Sequence, residues 1–185
     1  MRNRLFLIVG STAMLTASIF GQTSKLPPLK TVDAVDLARY QGMWYEIARY
    51  PNWFQKKCAG NATANYSLKP NGRVKVVNEC RKSAGSTTSA NGEAKVVERS
   101  SNAKLKVRFA PGFLSFLPMV WGDYWIIDLD PGYTRVAIGD PDRKYFWILS
   151  RTPTIDDPAY EAILTRAASQ GFDRSKVVKT PQGLR

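Results

Sequence analysis

The side chains able to do chemistry are few in this sequence. It has two cysteines, Cys58 and Cys80, and no histidine. Without histidine there is no imidazole general base, no Ser-His-Asp triad, no Cys-His pair and no imidazole ligand for zinc or haem. Catalysis would fall to carboxylates, tyrosines, lysines or a cysteine, and a cysteine here has no imidazole to activate it. No phosphate-binding loop, EF-hand, CxxC or other metal-ligand spacing occurs, so no metal and no cofactor is expected. Twenty-seven Lys+Arg against 15 Asp+Glu give a net charge of +12. The basic residues are spread over many segments, as solvated faces usually are. A nucleic-acid groove would cluster them beside exposed aromatics, so nucleic acid is not an expected partner.

The cysteines are read through the start of the chain. Arg2 and Arg4 precede the apolar run Leu5–Val9, which continues through Ala13, Met14, Leu15, Ile19 and Phe20 to Gly21. A charged start, an apolar middle and a small-residue end make residues 1–21 a signal peptide, too short and too interrupted for a membrane anchor. Its removal leaves a charge of about +10. The expected location is the periplasm or outside the cell. In such an oxidising compartment Cys58 and Cys80 are most simply one disulfide; the alternative is two separate buried thiols.

The elements that position these groups read as short strands. After a loose lead at 22–34, Val32–Tyr40 suggests a turn or two of helix. Strands are expected at Met43–Tyr50, 59–68, Arg73–Arg81, Gly92–Arg99, Ala103–Ala110, Tyr124–Leu129, Arg135–Gly139 and Tyr145–Ser150. Turn chemistry separates them at Lys69-Pro70-Asn71-Gly72, Asp130-Pro131-Gly132 and Asp140-Pro141-Asp142, and Ser83–Asn91 reads as a loop. In 103–110, Ala103, Leu105, Val107 and Phe109 alternate with Lys104, Lys106 and Arg108, giving one dry and one wet face. A helix follows, capped by Asp156 or Asp157, with Pro158 in its first turn. Tyr160, Ile163, Leu164 and Ala167 recur at helical spacing up to Gly171, and 175–179 suggests a last short strand. Eight sequential antiparallel strands and one helix point to an all-β, closed up-and-down barrel with the helix packed outside. Closure removes the exposed sheet edges, and eight strands leave room for one small ligand. The domain spans 35–180, with a flexible tail at 181–185.

Three runs carry a family resemblance. Gly42-Met43-Trp44-Tyr45-Glu46-Ile47-Ala48 resembles the Gly-x-Trp motif that opens lipocalin barrels, preceded by a plug-like Asp36-Leu37-Ala38-Arg39-Tyr40. Gly122-Asp123-Tyr124 resembles the second motif, and Asp142–Pro153 the third. The last run, with Trp44–Arg49, is similar to the bacterial lipocalin and apolipoprotein D branch. Bacterial members of this kind are lipoproteins anchored through an acylated cysteine, which this chain lacks. The resemblance implies that Arg151 packs over Trp44 to plug the barrel base, with Gly42 allowing close backbone passage. It also turns Glu46 inward with Trp44, while simple alternation puts Ala48 on that same side and Arg49 on the other. A buried carboxylate needs a partner, here a tyrosine, Arg151 or a ligand headgroup.

Ligand-lining candidates follow from the dry faces: Leu105, Val107 and Phe109 first, then Tyr66, Tyr124, Ile126 and Trp147. Phe113 and Trp121 belong to the apolar loop 111–121, which shares a rim with Trp53 and Phe54. Those loops could cover a lipid, touch a membrane or form an interface, and gating is the expected role. The expected function is non-catalytic binding, storage or transport of a fatty acid, lysophospholipid or similar lipid, by a monomer or homodimer, with peripheral contact to an anionic (outer) membrane surface. The alternatives are a cysteine-dependent lipid-modifying enzyme and a structural or partner-binding envelope protein.

Overall fold

The computed structural model describes residues 26–184; the expected signal peptide lies outside them. The chain forms a short helix α1 (Leu37–Tyr40), then β1 (Gly42–Arg49), β2 (Cys58–Leu68), β3 (Val74–Lys82), β4 (Thr87–Glu98), β5 (Lys104–Arg108), β6 (Gly122–Leu129), β7 (Arg135–Gly139) and β8 (Phe146–Ser150). Helix α2 (Asp157–Ser169) and a two-residue β9 (Val178–Lys179) follow. Each of β1 to β8 pairs antiparallel with the next, and β8 pairs back with β1, closing an eight-stranded barrel. α2 lies outside, capped by Asp156, whose side chain accepts from the Ala159 N–H at 2.8 Å.

Closure creates two apolar layers. The inner one holds Trp44, Tyr66, Val76, Ala94, Leu105, Ile126, Val136 and Leu149. The outer one, under α2, holds Ile47, Ala48, Phe146, Ile148, Tyr160, Ile163 and Leu164. Strands β1, β7 and β8 therefore bury both faces, whereas β5 buries only one.

Strand β1 departs from simple alternation. It pairs Glu46 with Leu149 and then Ala48 with Ile148, a bulge that leaves Ile47 as the extra residue. Ile47 and Ala48 both face the outer layer. Arg49 then lies opposite Trp147, a residue packed on the inner layer. The expected alternation is thus corrected: Arg49 faces inward and Ala48 outward.

Strand β1 pairs with β2 only from Gly42 to Tyr45. Beyond that point the C-terminal segment fills the seam. The Thr180 N–H donates to the Ile47 carbonyl at 2.9 Å, and Asn61 N–H to the Pro181 carbonyl at 2.8 Å. Gln182 Nε2 bridges both strands, donating to the carbonyls of Glu46 (2.8 Å) and Ala62 (3.0 Å). Leu184 and Asn61 exchange two further bonds. A Cβ on Gly60 would stand 2.5 Å from the Pro181 carbonyl oxygen, so only glycine lets the segment pass. The expected flexible tail is corrected here: 181–184 are part of the wall.

Other expectations shift as well. The loop expected at Ser83–Asn91 is mostly strand, because Thr87–Asn91 pair with Val77–Arg81 and the turn shrinks to 83–86. Polar β-compatible residues reach past the core here, so their lack of apolar pattern hid the strand. The helix expected over Val32–Tyr40 is only Leu37–Tyr40, capped by Asp36. The lead is not loose over its described part. Leu29 is buried on the outer layer, Lys30 N–H donates to Gln170, and Val32 N–H donates to the Ile126 carbonyl. Cys58 and Cys80 form a disulfide that ties the start of β2 to β3.

Deleting residues 181–185 should leave the barrel folded but less stable by about 2–3 kcal/mol, on a scale of about 0.5 kcal/mol for each of the five hydrogen bonds lost at this water-accessible seam. Denaturant unfolding of the truncated and full chains measures it, and an unchanged midpoint would show that the seam segment is dispensable.

Candidate functional site

The two ends of the barrel differ in physical character. At the base, α1 and the β4–β5 connection close the interior. Trp44 is fully buried, and its indole N–H donates to the Tyr40 carbonyl at 2.9 Å. The Arg151 guanidinium lies 3.9 Å from the centre of the Trp44 ring, a cation–π contact worth about 0.5–2 kcal/mol. Its amino groups donate to the carbonyls of Met43, Arg39 and Tyr40. Gly42 has a φ of +92°, and a Cβ there would meet Arg151 Nη1 at 3.3 Å. These three residues make a plug.

Toward the other end the inner rows become accessible. On β5, Leu105 is buried, Val107 is half-buried and Phe109 is 42% exposed. On β6 the order is Ile126, fully buried, then Tyr124, half-buried. On β8, Leu149 is buried and Trp147 half-buried. The mouth is therefore at the end of β5 and the starts of β2, β6 and β8. Leu105, Val107, Tyr66, Tyr124, Ile126 and Trp147 line one interior, with Phe109 at its rim beside Gly92.

Two expected lining residues lie elsewhere. Trp121 packs on the outer wall, where Lys95 Nζ sits 4.3 Å and the Arg108 guanidinium 5.2 Å from its ring. Its indole N–H donates to the Ser115 carbonyl, fastening the loop outside the barrel. Phe113 is 75% exposed and lines nothing. The reason is register: Gly122 pairs with Val107 on the inner face, so its neighbour Trp121 must point out.

The interior carries two polar groups of residues. Deep inside, the Tyr124 hydroxyl lies 2.8 Å from that of Tyr40 and 2.9 Å from that of Tyr66. Three phenols share two mutual hydrogen bonds, so one O–H remains to donate. Burial pushes the Tyr66 pKa up to about 12 and holds Tyr40 and Tyr124 well above the ordinary phenol range. The cluster is neutral at any physiological pH. Asn78, in register with Ala64 and Ala90 on the inner face, has a buried side-chain oxygen with no hydrogen-bond partner. Nothing in its sequence surroundings marked Asn78; only the strand register does.

Nearer the mouth, Glu46 is buried. One carboxylate oxygen accepts from Gln55 Nε2 at 2.7 Å and the other from Thr180 Oγ1 at 2.6 Å. Arg49 Nε lies 3.1 Å away. Neither a tyrosine nor Arg151 is its partner, contrary to expectation. Burial raises the Glu46 pKa, and the bonds from Thr180 and Gln55 together with the nearby Arg49 charge oppose that rise only in part. Gln55 also accepts from the Trp147 indole N–H and from Asn52 Nδ2, so the β1–β2 loop is fastened to the interior wall.

The rim itself is apolar and exposed. Trp53 and Phe54 stack edge to face, and Phe54 leads through Tyr145 to Trp147. Trp53, Phe116 and Met119 are each more than 70% exposed, and the exposed Lys56 and Lys57 follow Trp53 and Phe54 in the β1–β2 loop.

A barrel plugged at one end, lined by apolar rows and a neutral tyrosine cluster, and carrying the Glu46–Arg49 pair toward the other end has the form of a calyx. The lipocalin-like domain family matches residues 35–182. The chain is 42% identical over 156 residues to temperature-induced lipocalin-1 of Arabidopsis thaliana, covering 83% of each chain. It is 35% identical over 179 residues to outer membrane lipoprotein Blc of Escherichia coli, covering 95% of this chain and 96% of that one. Among solved structures it resembles insecticyanin from the tobacco hornworm, with a TM-score of 0.65 and 20% identity over 85% of this chain and 86% of the other. The chain belongs to the lipocalin family.

Because the tyrosine cluster is held neutral in the folded state, unfolding releases phenols that ionise near pH 10. Its stabilising contribution is complete below pH 10 and is lost as pH rises toward 12. Absorbance at 295 nm should show three of the 8 tyrosines failing to ionise in the ordinary phenol range near pH 10 while the protein stays folded, Tyr66 staying neutral up to about pH 12. Early titration of all eight with the fold intact would contradict the buried cluster.

Proposed function

We propose that the protein binds and carries a single-chain lipid, a fatty acid or lysophospholipid, inside the barrel, outside the cytoplasm, and makes or breaks no bond in it. The observation that carries this reading is the graded interior: fully buried apolar rows at the base give way to half-buried Val107, Tyr124 and Trp147 toward one open end. Such a lining takes up an acyl chain at about 0.8 kcal/mol per buried CH₂, enough for micromolar affinity. The free tyrosine O–H and the unpartnered Asn78 oxygen offer a donor and an acceptor within that lining. The disulfide supports a non-catalytic role, since neither cysteine offers a thiolate.

The exposed aromatics of the rim, beside Lys56 and Lys57, support transfer from an anionic membrane surface rather than gating. Trp121 holds the 111–121 loop against the outer wall, leaving Phe113, Phe116 and Met119 free to enter the interfacial region.

Native mass spectrometry of the purified protein should show an added lipid mass, and the delipidated protein should take up acyl lipids from a panel. Failure to bind any of them would overturn this reading. Replacing Phe113, Phe116 and Met119 together by serine should reduce sedimentation with phosphatidylglycerol-containing vesicles several-fold, with acyl-lipid affinity in solution unchanged. A triple variant that loses solution affinity instead would restore the gating role.

A further inference from the structure

We propose that Arg49 is the headgroup anchor of the barrel, binding the anionic oxygens of a single-chain lipid, a carboxylate or phosphate, at the mouth. This deepens the lipid-binding reading and rests on it.

The bulge at Glu46–Ala48 turns Arg49 inward, opposite Trp147. Its side chain is only 15% exposed, so its charge is largely removed from water. A cation in that position needs anionic or hydrogen-bonding partners. Arg49 has one, the Glu46 carboxylate beside its Nε at 3.1 Å, and among the described residues nothing at its two amino nitrogens. Its Nε is close to Glu46 Oε1 but not aligned with it, and remains buried without a hydrogen bond. No hydrogen bond or other ion pair engages the guanidinium among the described residues. The contrast with other covered arginines is sharp. Arg108 donates from both amino nitrogens, to Ala110 and Glu93, and Arg151 donates from both to backbone carbonyls.

Glu46 does not require Arg49 either. Each of its oxygens already accepts a short hydrogen bond, from Gln55 and from Thr180. The amino edge of Arg49 is therefore open to a ligand, and a planar guanidinium grips a carboxylate or phosphate through paired N–H donors. Trp147 alongside supplies an apolar wall for the first carbons, and the row Val107, Tyr124 and Tyr66 continues inward. The polarity of binding follows: head at the mouth, chain toward the tyrosine cluster.

The test uses the delipidated full chain with oleate and methyl oleate, which differ only in the charged head, followed through quenching of tryptophan fluorescence. The wild-type chain should prefer oleate at least tenfold, about 1.4 kcal/mol. Arg49→Met should abolish that preference by weakening oleate at least tenfold while methyl oleate binds as before, and Arg49→Lys should recover part of it. Equal affinity of the wild-type chain for both lipids would overturn the headgroup site but leave lipid binding standing. Equal loss of both in Arg49→Met would make Arg49 a structural residue and also overturn it. Binding of neither lipid by the wild-type chain would instead overturn the lipid-binding reading itself.

Discussion

Strand β1 must close the barrel, and most of what is distinctive in this protein follows from how it does so. One edge of β1 bonds to β8. The other is divided: its first half pairs with β2, and its second half is met by β9 and the segment after it. A strand that changes partners midway has to change its twist, and the bulge at Ile47 supplies that change. The bulge sends Ile47 and Ala48 under α2 and brings Glu46 and Arg49 to the same interior wall. Closure, seam and polar mouth thus share one origin.

Glu46 is where these parts meet. Its two oxygens hold the β1–β2 loop through Gln55 and the C-terminal segment through Thr180. A buried carboxylate is costly unless its lone pairs are filled. Here filling them fixes two chain segments far apart in sequence. The result is a mouth whose walls are tied from inside, while the aromatic rim above it stays exposed.

The strong positive charge has a similarly local meaning. On the outer wall Glu93 accepts from Lys69, Arg73 and Arg108. Burial works against its ionisation, but the Lys69 and Arg73 bonds and charges outweigh it and hold its pKa at about 2. Lys106 pairs with Asp123 and Arg166 with Asp128. Much of the basic surface is thereby neutralised in place. Arg49 is different, because it faces inward beside Glu46 with its two amino nitrogens making no hydrogen bond among the described residues.

The amino-acid sequence determined the strand count, the barrel and its outer helix, the plug of Gly42, Trp44 and Arg151 through resemblance, and the exclusion of histidine chemistry. These rest on turn residues, period-two patterning and composition, which are local. The dry face of 103–109 was legible for the same reason: charged neighbours must face water. Tertiary structure alone decided that Arg49 points in and Trp121 points out, that polar Thr87–Asn91 belong to a strand, that Asn78 is an inner-wall residue, and that 181–184 build wall. Side-chain direction in a strand has a period of two, so one bulged residue or one fixed cross-strand pair reverses everything after it. That reversal depends on the neighbouring strand, which no local pattern contains.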